Sequence, residues 1–362
     1  MPLEASDIAK LTATTRALQF KGRLTQLATS YQNFTAMNRL MKLHKVGLKG
    51  GKELEFYLMT SFTNTAENSS LYDTDDVVVA GSSTTSATVP WRWSKAHCAW
   101  DLREPALNSD SDVKLMDFAK LQEMEMNLSR ALLHERNLWG KPASSTDKVT
   151  PYGVDYWVTF PSSYSVDGFY GGNPSGFTAG CAGVDSDTYT RWRNWYGQFS
   201  AVSQDDLVER MIQAEHATRF ESLIPDAIPD LSKGDQLGIY TNWDIISALR
   251  YLYRDQNDDL GTDIAIGVPG SASTPSFHGR PFEHVSFLDE GHSEGSSAMA
   301  ARDPVYMINW GVFEFTFLSG WDGKRTTEQS PTSHNVVVVW SDDGYNTACY
   351  DRRRQALIAK SA

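Results

Sequence analysis

The stretch of this sequence that comes nearest to a nucleophile arrangement is Gly291-His292-Ser293-Glu294-Gly295, a G-x-S-x-G. In a hydrolase such a motif turns sharply from strand to helix and lifts the serine hydroxyl clear of the sheet, and an acid and a histidine follow later in the chain. Apolar residues 282–288 precede Ser293, Ala-containing residues 296–302 follow it, and Asp322 and His334 stand downstream in the right order. Only 67 residues follow Gly295, however, and they read as strands without the βα units that would carry an acid and a histidine to one place. A Gly/Ser-rich loop is the better reading, and an α/β-hydrolase using Ser293 the weaker alternative.

The other candidates are thinner. Residues 171–176 hold three glycines but no lysine and no helix pattern behind them, so a phosphate loop is not expected. His97-Cys98 could be half of a Cys–His pair, yet it lies in strand-like sequence with no third partner, and an ordinary half-buried pair is expected. Asp255, Asp258, Asp259 and Asp263 lack the glycine and terminal glutamate of a calcium loop and read as a solvated turn. Cys98, Cys181 and Cys349 are isolated and odd in number, which argues against a zinc site or a disulfide framework. Arg352, Arg353 and Arg354 sit in strand-like sequence, where three successive side chains cannot share a face, so a subunit contact or solvated edge is expected. The reading is therefore of a chain without catalytic, metal or cofactor residues.

The elements that would have to position any such chemistry say more. With 362 residues, 41% hydrophobic and 12% aromatic, the chain can bury a large core. No run approaches the ~18 apolar residues of a membrane span. No signal-peptide apolar stretch follows Met1, so a reducing cytoplasm is the expected compartment. The net charge of -12, from 45 acids and 33 bases, argues against a protein that coats nucleic acid. Residues 1–50 alone carry eight Lys/Arg and two acids, so this arm is +6 and the remainder -18. Phe20, Leu24, Leu27, Tyr31, Phe34 and Met41 recur at spacings of mostly three and four, one side of a helix, with Arg23 and Arg39 among them. That helix docks either on its own domain or on another subunit. Residues 53–100 read as long β arms around polar loops, with 81–88 a Gly/Ser/Thr run expected to be exposed or mobile. A long helix is expected at about 111–139, built on Leu115, Phe118, Leu121, Met124, Leu128, Leu132 and Leu138 and stopped by Gly140. Residues 141–200 are loop-rich. Helices at 204–220 and 243–254 and strands at 236–240, 282–288, 305–308, 312–318, 335–340 and 346–359 complete the set. Helices and strands interleave without βα repetition, so the class is α+β.

This order of parts resembles the major capsid proteins of tailed bacteriophages, with the Hong Kong 97-type fold. Gly238-Ile239-Tyr240-Thr241-Asn242-Trp243-Asp244 looks like that family's strand-to-helix entry into its axial domain. Phe277-His278-Gly279-Arg280-Pro281-Phe282 resembles its aromatic-x-G-x-P-hydrophobic step. Tyr306-Met307-Ile308-Asn309-Trp310-Gly311 and residues 334–357 resemble its closing strands, and Trp192-Arg193-Asn194 a subgroup of it. The resemblance covers about residues 45–360, and the chain departs from it in lacking a long N-terminal scaffolding region.

The resemblance implies an N-terminal arm (1–49), an extended β-hairpin E-loop (50–98), a peripheral domain with the spine helix (99–200), an axial domain (201–330) and C-terminal strands returning to the peripheral domain (331–362). It implies a structural subunit, not an enzyme, that self-assembles into hexamers and pentamers of an icosahedral head around double-stranded DNA. DNA would be held non-specifically, and portal, scaffold or decoration proteins would be partners. The place would be the virion, after assembly in the host cytoplasm, with no membrane partner. An encapsulin-type cellular compartment is the alternative within the fold. The arm residues Phe20, Leu24, Leu27, Tyr31, Phe34, Met41, Arg23 and Arg39 are expected to contact a neighbouring subunit, because phosphates offer an apolar stripe nothing.

Overall fold

The computed structural model describes residues 34, 45–61, 83–101, 103, 118–161, 166–220, 236–256, 275–293, 295–329 and 335–361. In chain order these form β1 (Lys45–Leu48), β2 (Glu53–Met59), β3 (Thr84–Pro90) and β4 (Arg92–Asp101), then helices α1 (Phe118–Trp139) and α2 (Val154–Trp157). Next come β5 (Gly168–Gly171), β6 (Asn194–Phe199), α3 (Glu209–Thr218), β7 (Leu237–Thr241), α4 (Trp243–Gln256), β8 (Ser276–Phe277) and β9 (Arg280–His284). The chain closes with β10 (Val305–Asn309), β11 (Phe313–Leu318), β12 (Lys324–Gln329), β13 (Val336–Cys349) and β14 (Ala356–Lys360). The mixture is the α+β class expected from the sequence.

A seven-stranded sheet runs β5-β6-β14-β10-β7-β9-β8. Its central strands are apolar on both faces, and the alternation sorts them into two cores. Ile239, Val305, Met307, Ala356 and Ile358 meet Leu207, Met211 and Ala214 beside α3 and Ile245, Ile246 and Leu249 of α4. Tyr240, Tyr306, Ile308, Leu357 and Ala359 point the other way, into an aromatic core with Trp139, Trp157 and Trp310. Strands buried on both sides read as continuous apolar runs, which is how β10 and β14 read in the sequence.

In the second sheet, β13 is the spine. Its first ten residues pair with β4 on one edge, while β11 and β12 follow one another along the other edge, and β1 lies parallel to β11. Helix α1, about 33 Å long at 1.5 Å per residue, covers one face of this sheet through Met126 against Cys98, Val337 and Val339. A separate hairpin, β2–β3, pairs seven residues from Glu53↔Pro90 to Met59↔Thr84.

Several expectations change. Within 81–88, residues from Thr84 onward form strand β3, with Ala87 and Val89 buried, because small and β-branched side chains alternate there against the aromatic core. In α1 the expected Leu132 and Leu138 do face the core, but Met126, His134, Glu135 and Trp139 are buried beside them, whereas Met124 is 50% exposed. Residues 111–117 lie outside the described residues. The strand expected at 282–288 ends at His284 and gives way to a 3-10 turn at Ser286–Leu288. The gap left between 340 and 346 does not exist: β13 runs straight through Ser341-Asp342-Asp343-Gly344. Arg352–Arg354 is a 3-10 turn, not a strand, and two of its three arginines are buried.

Candidate functional site

The geometry removes the hydrolase. Residues after Ser293 form turns and a 3-10 segment at Ala300–Arg302, so the strand-to-helix elbow is missing. Asp322 is engaged by Arg130 at 3.2 Å. His334 and Glu294 lie outside the described residues. His97 and Cys98 point to opposite faces of β4, the histidine packed at a tilt of 39° against Trp340 with centroids 4.9 Å apart. Burial raises all three thiols, Cys181 to about 11, which disfavours a thiolate nucleophile. Rather than offering N–H groups to a phosphate, Gly171 and Gly172 turn their carbonyls to an arginine. The acidic positions 258, 259 and 263 fall outside the described residues. Among the described residues no group of three or more His, Cys, Asp or Glu could hold a metal, and no helix is long and apolar enough to cross a membrane.

Two buried polar nodes hold the scaffold, and neither was read from the sequence. At the first, Arg352 is fully buried and its five N–H groups reach seven acceptors, four of them shared by Nη2. Its acceptors are the carbonyls of Trp157, Gly171, Gly172 and Trp192, the hydroxyls of Thr159 and Ser186, and Asn194 Oδ1, at 2.7–3.3 Å. Among the described residues no carboxylate lies within ion-pair distance of it, so oriented dipoles answer the charge, with the Trp192 ring 5.9 Å from the guanidinium carbon. The 3-10 turn exists to aim it: the Asp351 carboxylate accepts from Arg353 N at 3.1 Å and pairs with the Arg353 guanidinium at 3.0 Å. The loop-rich region between α2 and β6 is thereby ordered around a side chain that arrives from the far end of the chain.

At the second node Asp343, with its side chain 1% exposed, accepts from Arg130 Nε and Nη2 at 2.6 Å each, from the Gly323 amide at 2.6 Å, and meets His134 Nε2 at 3.1 Å. Burial pushes the carboxyl up, but the hydrogen bonds and charges of His134 and Arg130 outweigh it and hold Asp343 at about 2. A Cβ at Gly323, whose φ is +60°, would meet the guanidinium of Arg130 at 2.8 Å. The node ties α1, β13 and the β11–β12 turn together. It also explains why an Asp-Asp-Gly sequence continues as strand and why α1 turns an arginine and a histidine inward.

The β2–β3 hairpin leaves one of its faces to solvent. On the hairpin, Leu54, Phe56 and Leu58 pack against the aromatic core, with Phe56 edge-on to Tyr350 at 5.0 Å. The opposite side presents Glu53, Glu55, Tyr57 and Met59 to solvent, Tyr57 74% and Met59 64% exposed. Of the predicted arm contacts, Phe34 is described: it is half-buried against the aromatic core of its own chain. Phe20, Arg23, Leu24, Leu27, Tyr31, Arg39 and Met41 lie outside the described residues. At the end of the arm, β1 adds to the edge of its own chain's sheet through Lys45↔Phe315 and its neighbours.

No family model and no curated protein matches the sequence. Solved structures do. The capsid asymmetric unit of cyanophage A-1(L) aligns over 96% of this chain and 98% of its own, with a TM-score of 0.53 and 16% identity. A chain from Gordonia phage Cozz gives 0.52 over 95% and 91%, at 10% identity. The capsid of cyanophage P-SCSP1u gives 0.51 over 94% and 91%, at 12% identity. These identities speak to architecture alone, and the architecture is clear: the chain has the phage-capsid fold of the Hong Kong 97 type.

Proposed function

We propose that the chain is a major capsid protein of a tailed phage. The observation that carries this is the fold likeness to phage capsid structures, which spans more than nine-tenths of this chain and of theirs. Two features of the molecule support it. One face of the β2–β3 hairpin carries large apolar side chains in solvent, and such residues gather at subunit interfaces. Both buried nodes brace the scaffold and neither offers a reactive group to a substrate, which suits a structural subunit better than an enzyme.

On this reading many copies form hexamers and pentamers that close into an icosahedral head around double-stranded DNA. The subunit is assembled in the host cytoplasm, ends in the virion, and meets portal, scaffold or decoration proteins there. Residues 1–49 are the arm. Their stripe (Phe20, Leu24, Leu27, Tyr31, Met41) lies against a neighbouring subunit, anchored where Phe34 packs on the core of its own chain, and Arg23 and Arg39 steer it. Negative-stain microscopy of the purified protein tests the proposal, and closed shells or ring-shaped capsomers are expected. A monomer with a radius of gyration near ~21 Å at every concentration overturns it. Shells that enclose a co-expressed enzyme in place of DNA would move the assignment to an encapsulin-type compartment.

A further inference from the structure

Among the described residues strand β12 (Lys324–Gln329) is paired on one edge only. Six of its residues pair with β13, and among the described residues no strand occupies its other edge. The neighbouring strand β11 is covered at the same edge by β1, but that cover stops at Leu48, whose carbonyl takes the Ser319 amide at 2.8 Å. The open edge therefore begins where β1 ends. It is held in place from behind, since Arg325 reaches Glu123 of α1 at 3.2 Å. Lys324, Arg325 and Thr326 are exposed. A fixed edge with unpaired amides and carbonyls is a template for another strand.

We infer that this edge is a twofold contact, pairing antiparallel with β12 of a second copy and centred on Thr326. Symmetry and charge select the register. Two antiparallel edge strands related by a twofold axis keep their faces, so a residue can only meet one from the same face of its own strand, and the centre must fall on a residue. Centring on Arg325 sets two arginines against each other. Centring on Thr327 sets Thr326 against Glu328 and Arg325 against Gln329, with no opposite charges. Centring on Glu328 opposes two glutamates. Centring on Thr326 places Lys324 opposite Glu328 twice, with threonine facing threonine at the axis, and both pair types stabilise sheets.

Positions 324, 326 and 328 share a face with Asp342, Trp340 and Val338. The row His97, Trp340, Thr326 then continues through the axis into the same row of the second copy, within a six-stranded sheet. The paired edge is only about 20 Å long, well short of the roughly 800 Å² per partner that a free-standing complex needs. The contact holds when other interfaces tie the copies together. It deepens the shell assignment by naming a twofold surface, and its setting rests on that assignment.

Single cysteines at 325, 326 and 327 in the full chain test it, since the native Cys98, Cys181 and Cys349 are buried. Across the axis Thr326→Cys brings two Cα atoms to about 4.5–5.5 Å, within disulfide range. The mates of the flanking positions are displaced by two residues. After mild oxidation of assembled particles, the disulfide-linked dimer from Thr326→Cys should exceed those from the flanking positions by at least roughly fivefold. Adding Lys324→Glu to Thr326→Cys should cut that yield several-fold, and adding Glu328→Lys as well should restore it. If particles form and position 326 shows no excess, the pairing is overturned and the shell assignment stands. If no particles form, the shell assignment fails, and the same scan on concentrated dispersed subunits decides. A dimer selective for 326 supports the pairing there, and its absence overturns it.

Discussion

Replacing Arg352 tests whether a buried cation caged by dipoles holds the loop-rich third of the molecule. The comparison is between Arg352→Met and Arg352→Lys. With methionine the donors to all seven acceptors disappear. Gly172 O keeps a donor in the Thr159 hydroxyl and Trp192 O keeps one in Ser186, at 2.9 and 3.1 Å. The carbonyls of Trp157 and Gly171 have no such side-chain substitute. Two buried acceptors orphaned at about 1–3 kcal/mol each give a cost of about 2–6 kcal/mol, and relief from burying a cation offsets part of it. The net expectation is a loss of about 3 kcal/mol. Lysine retains the charge, so it keeps the burial penalty, yet its three donors cannot fill seven acceptors in a fixed fork. It should cost as much as methionine or more, about 3–5 kcal/mol, against a total stability of about 5–15 kcal/mol for a typical domain. Urea unfolding of the dispersed subunit, followed by tryptophan fluorescence, reads this out because Trp157 and Trp192 line the cage. A lysine variant within about 1 kcal/mol of the parent would show that charge, not fork geometry, matters there, and would refute the reasoning.

Asp343 provides the pH prediction. Its carboxyl is held below the ordinary value, so its stabilisation is complete above about pH 4 and is lost as pH falls toward about 2, a change of about 2–3 kcal/mol. Asp343→Asn should be less stable at neutral pH and show a flatter acid-unfolding curve over that window; an unchanged curve counts against the node. Ser293→Ala should leave assembly intact, and a fluorophosphonate probe should not label Ser293. Leu24→Asp or Leu27→Asp should block or weaken shell formation even without DNA, since burying such side chains contributes about 1.5–3 kcal/mol each. Charge reversal at Arg23 or Arg39 should act more mildly and depend on salt. Leucine variants that assemble normally beside arginine variants that only fail to package DNA would make the arm a DNA tether.

What the sequence disclosed tracks how local its physics is. Strands β7, β10 and β14 of the seven-stranded sheet and the helices α3 and α4 were legible because apolar alternation and period dominate there. Hairpin strand β3 was obscured by its Thr and Ser, since the burial of Ala87 and Val89 depends on a core contributed by distant residues. The long helix was found, and Leu132 and Leu138 of its expected stripe do face the core, but its polar inward residues were not, because Arg130 and His134 turn in only once Asp343, some 210 residues away, is there to meet them. The same distance hid Arg352: a triple arginine looks like surface until the carbonyls of residues 157–192 converge on it.

The last two described strands in chain order each take an interior place in one of the two large sheets. Strand β13 lies between β4 on one edge and β11 and β12 on the other, and β14 lies between β6 and β10. During synthesis, then, neither sheet can close until residues 336–360 have left the ribosome, and the Arg352 cage waits with them. Such long-range pairing is slow to form, so the nascent chain stays incompetent for lattice contacts while translation continues. A product interrupted before Val336 lacks an interior strand of each sheet. On the proposed shell reading such a product would not enter a particle, and the strand order would sort truncated subunits out before any lattice contact forms.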